Sequence, residues 1–265
     1  MGKQLRPTVH DLLAMKGKRQ LSMLRVVSLE EAEAAEAARI DLISIPPELL
    51  FDPRFRDAAP GRFAIPGGEY GQSGATTDEI LRSAVKMRAA SADAVYCAAS
   101  LHTIRRLRDE YIPVCGHTGL VPSHSTWTGG FRAVGKTAQS AAFVYKQVKD
   151  LEAAGAFSAE IEVVPAEVAA AISERTSMLM ISMGAGSGCD AQYLFSEDVL
   201  GLNRGHYPRH AKVYRNLAAE YDRIQAERIV AFREYSADIA NGSYPAEQHR
   251  VPVDAEELVE FLSGL

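Results

Sequence analysis

The chain has 265 residues, 47% of them hydrophobic and 24% charged, and a formal net charge of −5. This is the composition of a soluble globular chain, and its scattered Lys and Arg residues give no basic footprint for nucleic acid or an anionic membrane. Three widely spaced cysteines, Cys97, Cys115 and Cys189, argue against a disulfide framework; with no run apolar enough for a signal peptide or a membrane span, the cytoplasm is the expected location.

In chain order, LSMLRVV (21–27) reads as a strand and SLEEAEAAEAARI (28–40) as a helix, with Ser28 as N-cap and Glu31 completing a capping box. LISIP (42–46) and RFAIPG (62–67) read as strands. A helix from Thr77 through Arg88 sets Ile80, Leu81, Val85 and Met87 near helical spacing. ADAVYCA (92–98) is a continuous apolar strand, followed by helical HTIRRLRDEY. YIPVCGH (111–117) is strand again, then a loop rich in Gly, Ser, Thr and Pro, then a helix from about Thr137 to Gly155. FSAEIEVVP (157–165) reads as strand, AEVAAAISERT as helix and SMLMISMGAG (177–186) as strand. The β-then-α unit recurs seven times, and VLGL (199–202) offers an eighth strand.

Continuous apolar strands separated by helices indicate a parallel sheet covered on both faces. Eight such units predict a (β/α)8 TIM barrel, with residues 1–265 as a single domain whose 212–265 segment is mainly helical. Those extra helices (212–240 and 254–265) are available for oligomer contacts. Chemistry in such a barrel sits at the C-terminal ends of the strands. There fall His117, set between two glycines, Glu162, and the loop of Gly184, Ala185 and Gly186.

Several stretches resemble the ketopantoate hydroxymethyltransferase family of the phosphoenolpyruvate mutase/isocitrate lyase superfamily. They are YIPVCGHTGLVPSHSTWTGGFRAVGK, LEAAGAFSAEIEVVPAEVAAAI, ISMGAGSGCDAQYL and NGSYPAEQH, within a likeness that begins at HDLLAMKGKRQLSMLRV. The resemblance implies a (β/α)8 barrel, often decameric, that moves a hydroxymethyl group from 5,10-methylenetetrahydrofolate to 3-methyl-2-oxobutanoate. It also implies Mg2+ chelated by the 2-oxo acid, and a glutamate that removes the C3 proton to form an enolate. Glu162 matches that glutamate and His117 the family's site histidine.

The likeness breaks at the metal. Where the family has an aspartate after its second strand, LISIPPELL places Pro46 or Pro47; where it has a second after strand three, AIPGGEYGQ places Gly68 beside Glu69. At the end of strand four, VYCAAS sets Tyr96 and Ala98 in place of a lysine and a glutamate. No metal ligand is therefore assigned, Glu69 and Glu48 being the weak candidates for a relocated site, and use of Mg2+ and folate is in doubt. An enolate formed without a Lewis acid needs hydrogen-bond donors, each worth ~3 kcal/mol in oxyanion-hole sites. His117, the Tyr96 hydroxyl and glycine-loop N–H groups are candidates, and Ser44, Tyr96, Gly184, Ala185 and Gly186 are the expected substrate contacts.

Plainer readings stand beside these. Glu162 also admits a reading as a solvated or arginine-paired carboxylate and His117 as a loop-packing residue, while GAGSGCD reads equally as a tight turn or an anion cradle. Trp127 is a lid or a loop anchor. Cys189, at a possible helix start, has either a lowered pKa or an inert thiol. Asp190 and Gln192 read as caps of a following helix. Three functions remain open: enolate or aldol chemistry on a small 2-oxo acid, a different C–C bond-forming or lyase reaction on the same barrel, and a non-catalytic paralogue.

Overall fold

The computed structural model describes residues 6–68 and 74–265. Eight parallel strands form one sheet: β1 (Leu21–Arg25), β2 (Leu42–Ile45), β3 (Phe63–Pro66), β4 (Val95–Tyr96), β5 (Val114–Gly119), β6 (Ser158–Glu162), β7 (Leu179–Met183) and β8 (Ala191–Phe195). Their order is β3-β2-β1-β8-β7-β6-β5-β4. The two ends of that order meet where the Asp93 and Ala94 N–H groups donate to the Ala64 carbonyl at 3.2 and 3.5 Å. The result is a nearly closed (β/α)8 barrel.

Helices surround it: α1 (Val9–Leu13) before β1, α2 (Leu29–Ala37), α3 (Pro47–Leu50), α4 (Phe55–Ala58), α5 (Thr77–Ala89), α6 (Leu101–Asp109), α7 (Ser125–Thr128), α8 (Ala138–Ala154), α9 (Ala166–Ser173) and α10 (Ser196–Leu200). Local chemistry sets their ends. Thr76 and Thr137 cap α5 and α8 through the N–H groups of Glu79 and Ser140, and Gly155 closes α8 at φ 98°.

Side chains alternate across each strand, which splits the core in two. Ile43, Ala64, Val114, Ile161 and Met180 point outward and pack under the helices with Ile104, Leu107, Val144 and Val148. Leu21, Met23, Leu42, Phe63, Ile65, Cys115, Leu179, Ile181 and Tyr193 fill the barrel. The inward parity continues upward to Arg25 on β1, Ser44 on β2, Tyr96 on β4, His117 on β5, and Glu160 and Glu162 on β6. Polar groups thus begin where the apolar filling ends.

The opposite rim carries a repeated device. Asp41, Asp93 and Asp190 stand immediately before β2, β4 or β8, apart from a single residue at β4. Each accepts a backbone N–H from a neighbouring strand: Ser22 of β1 at 2.9 Å, Ala64 of β3 at 2.8 Å and Met180 of β7 at 2.8 Å. Each is also paired with a cation, respectively Arg19, Arg56 and Lys16, at 2.7, 2.9 and 2.6 Å. These aspartates pin strand pairs in register.

Three local expectations are corrected. The eighth strand is AQYLF (Ala191–Phe195), and VLGL instead ends α10 and turns at Gly201, φ 68°. Asp190 and Gln192 accordingly serve a strand, Gln192 donating to the Gly186 carbonyl at 2.9 Å. Ser28 does cap α2, but Glu31 does not close a capping box. Its carboxylate instead accepts from the Val27 N–H and the Ser196 hydroxyl, both at 2.8 Å, and so joins α2 to α10.

The chain forms two compact units, one through Arg215 and one of Asn216–Leu265. The second comprises α11 (Leu217–Asn241), capped by Asn216 and ended at Gly242, and α12 (Ala255–Ser263). No helix among the described residues is long and apolar enough to cross a membrane.

Candidate active site

A cavity of about 650 Å3 opens at the C-terminal ends of the strands. Its charged lining, among the described residues, is Arg25, His117, Glu160 and Glu162, joined by Ser44, Tyr96, Tyr193 and Phe195. The cavity therefore carries polar groups from six of the eight strands.

His117 is the centre of the polar cluster, its side chain only 3% exposed. Nδ1 lies 2.7 Å from the Tyr96 hydroxyl and 3.6 Å from Glu160 Oε2. Nε2 lies 3.1 Å from Glu162 Oε2. That contact is within ion-pair distance but poorly aligned as a hydrogen bond, so the buried Nε2 is not fully satisfied by the protein. The carboxylate beside Nε2 favours a proton there. Nδ1 then accepts from Tyr96 in the neutral ring and donates to it in the imidazolium.

Burial works against a charged His117, but the Glu162 interaction and the charges of Glu160 and Glu162 outweigh it, and its pKa is raised. Glu160, 5% exposed, is pushed up to about 7, chiefly by burial and further by Glu162, with His117 and Arg25 opposing. Burial, then the nearby Glu160, also drives the Tyr96 phenol far above its ordinary value. His117 and Glu160 are thus both biased toward their protonated forms.

Two glycines allow this geometry. A Cβ on Gly67, just past β3, would lie 2.6 Å from the Tyr96 Cβ, so only glycine lets β3 approach the strand that carries Tyr96. Gly119 sits at φ 82°, where an added Cβ would meet the Glu162 carbonyl oxygen at 2.4 Å.

The structure brings together Glu162, His117, Tyr96 and Ser44. Gly184, Ala185 and Gly186 are not among the described residues lining the cavity. Their loop is a closed turn, with Ser182 Oγ donating to the Gly186 carbonyl at 2.8 Å and accepting from the Ala185 N–H at 3.2 Å. Gly184 packs against His210. Glu48 is exposed on α3 and does not line the cavity. Glu69 lies outside the described residues. Trp127, on α7, is 90% exposed. The Cys189 thiol is buried and pushed up to about 12, the reverse of an activated cysteine.

Sequence reasoning missed Arg25, Glu160 and Tyr193. The signal was parity: in LSMLR the charged Arg25 shares the inward face with Met23 and Leu21, and in SAEIE Glu160 shares it with Ser158 and Glu162. Arg25 Nη1 donates to Ser44 Oγ at 3.0 Å and to the Gly67 carbonyl at 3.3 Å. Mg2+ requires hard oxygen ligands. The described oxygens here are either turned onto His117 or already bound to Arg25. Among the described residues no group of three His, Cys, Asp or Glu side chains is arranged to hold a metal ion. This described donor set does not fit a divalent ion.

The barrel agrees with what the chain is similar to. It is 30% identical to the 3-methyl-2-oxobutanoate hydroxymethyltransferase of Kosmotoga olearia over 91% of this chain and 96% of that protein. It is also 30% identical to the enzyme of the same name from Nitratidesulfovibrio vulgaris, over 100% and 92% of the two chains. Among solved structures, 2,3-dimethylmalate lyase, a member of the phosphoenolpyruvate mutase/isocitrate lyase superfamily, superposes with a TM-score of 0.51 at 12% identity, covering 98% of this chain and 100% of that one. That likeness shows the shared barrel. The family model for ketopantoate hydroxymethyltransferase matches residues 64–247. That match runs from β3 through β8, across Tyr96, His117 and Glu162, and this chain belongs to the ketopantoate hydroxymethyltransferase family of enzymes.

Proposed function

We propose that this enzyme performs enolate chemistry on a small 2-oxo acid, with hydroxymethyl transfer to 3-methyl-2-oxobutanoate as the reaction its family suggests. The observation that carries the reading is the Glu162–His117 contact at the cavity wall, 3.1 Å long and leaving Nε2 incompletely satisfied. Glu162 removes the proton from substrate C3, becoming a carboxylic acid, while the C–H electron pair moves into the enolate and onto the carbonyl oxygen. The Nε2–H of His117 donates to that oxygen as its charge develops, and Tyr96 fixes the ring through Nδ1. Ser44 contributes to the floor on which the acid rests.

5,10-Methylenetetrahydrofolate, when bound, supplies the one-carbon unit that the enolate attacks. The buried free cysteines suit a cytoplasmic setting. A homo-oligomer, decameric by family resemblance, is part of the same reading and is checked by sedimentation velocity.

The test is deuterium incorporation at C3 of 3-methyl-2-oxobutanoate in D2O, followed by proton NMR. The wild type is expected to exchange the proton and Glu162→Gln to lose about a hundredfold or more of the rate, within the range of general-base contributions. Equal exchange by both proteins would remove Glu162 from the role of base. Exchange by neither would remove the substrate assignment.

A further inference from the structure

Among the described residues, Arg25 lines the cavity with no carboxylate within ion-pair distance. Arg25 ends β1 on the inward parity of Leu21 and Met23, and it emerges half-buried where the apolar filling stops. Its guanidinium is anchored from one side only, Nη1 reaching Ser44 Oγ of β2 and the carbonyl of Gly67 beyond β3. Both are neutral acceptors. Nε and Nη2 make no hydrogen bond to a described residue. No described carboxylate lies within ion-pair distance of Arg25, and Glu160 and Glu162 are instead turned onto His117. The Phe195 ring stands 6.0 Å from Cζ, and the Tyr193 hydroxyl lies against Ser44 and Arg25.

A guanidinium has a rigid fork of donors matched to a carboxylate. Here one arm is fixed by two strand ends and the other donors face a cavity that has polar walls. The position is telling. The ends of β2 and β3 are where the family resemblance would seat metal-binding aspartates, and here they carry Pro46, Pro47 and Gly68, with Gly68 lining the cavity. The neutral oxygens remaining there are committed to Arg25. A divalent ion at that point would face a fixed positive charge and find those donors occupied.

From this arrangement we infer that Arg25 is the carboxylate anchor of the site: its guanidinium binds the acid group of the substrate directly, in the place where a divalent ion would otherwise hold it. The inference rests on the 2-oxo acid reading given above and names the group that recognises its anionic end. His117 and Glu162 on the far strands β5 and β6 then face the carbonyl and C3 of a substrate held at β1.

Isothermal titration of the full-length protein tests this, with 3-methyl-2-oxobutanoate and its non-oxo counterpart 3-methylbutanoate as probes, each in EDTA and in excess Mg2+. The wild type is expected to bind the oxo acid equally in both buffers. Arg25→Met should weaken binding by roughly 100-fold, as removal of one partner of a desolvated charge pair does. Arg25→Lys should weaken it about tenfold, because a point charge loses the fork. Both variants are first checked for wild-type circular dichroism and melting temperature, and Arg25→Lys carries the test if Arg25→Met does not fold. Binding that requires Mg2+, or binding unaffected at Arg25, would overturn the anchor. Arg25-dependent binding of 3-methylbutanoate without any preference for the oxo acid would keep the anchor and sink the 2-oxo acid reading. Binding of neither probe to the wild type would overturn the anchor itself.

Discussion

Glu160 is a carboxyl whose protonation the fold moves into the neutral range. Its carboxyl is held neutral up to about 7 by burial, and the raised His117 favours its own proton as well. Both groups bind protons more tightly in the folded chain than in the unfolded one. For Glu160, stability is therefore greatest below the ordinary carboxylate range and falls as pH rises to about 7. For His117, the contribution is complete below its ordinary value and is lost as pH rises through its raised one. The two signs agree. At ~1.4 kcal/mol per tenfold change in proton affinity, Glu160 costs on the order of 3 kcal/mol above pH 7. Glu160→Gln is accordingly expected to gain stability on the wild type as pH rises from 5 to 8, read from urea midpoints at each pH. A constant difference between the two proteins across that range would mean that Glu160 is ionised throughout.

At the scale of elements, the weakest part of the barrel is its seam. β4 has two paired residues, and β3 meets the chain before it through two backbone bonds to one carbonyl. Gly67 sits beside this seam with no room for a methyl group. Gly67→Ala is expected to cost about 1–3 kcal/mol by overpacking. It should also lower C3 exchange more than that loss explains at temperatures where the protein stays folded, because it pushes Tyr96 away from His117. Thermal unfolding and NMR exchange on the same sample separate the two effects.

The elements themselves were mostly legible, because a buried parallel strand must be a continuous apolar run and a helix must show its caps. β1, β6 and α8 fall where LSMLR, SAEIE and the Thr137–Gly155 punctuation place them. β8 escaped notice because Asp190 and Gln192 read as caps of a helix, and the turn carbonyl that holds Gln192 is one no linear pattern reveals. Glu31 was misassigned for a related reason: its local motif was present, but a hydroxyl 165 residues away competed for its carboxylate. Of the site, Glu162 and His117 were readable from motif and strand end. The Arg25 bond to Ser44 was not, since β1 and β2 meet only through the sheet.

Across the whole barrel unit, the two rims have different duties. Residues at the C-terminal ends carry the polar cluster, and residues at the N-terminal ends carry ion pairs that bridge strands. Asp190 is the most deeply buried of these, 8% exposed, accepting from Lys16, Ser173 and the Met180 N–H. Asp190→Ala would leave a half-buried ammonium and a buried N–H without partners. It is expected to cost roughly 2–4 kcal/mol in chemical denaturation. C3 exchange per folded molecule should stay within about twofold of the wild type, since kinetic losses belong to groups that act at the reacting atoms. A large kinetic loss with little loss of stability would place Asp190's influence at the wrong rim.

The trio of aspartates before β2, β4 and β8 has a consequence for how such a chain can change over time. Because three strand pairs are indexed from below, the upper ends are relieved of aligning one another. Residues such as Pro46 after β2 or Tyr96 in β4 can change without a slip that would turn core side chains outward. The lower rim acts as a fixed keel, and the chemistry above it is free to be rewritten one residue at a time.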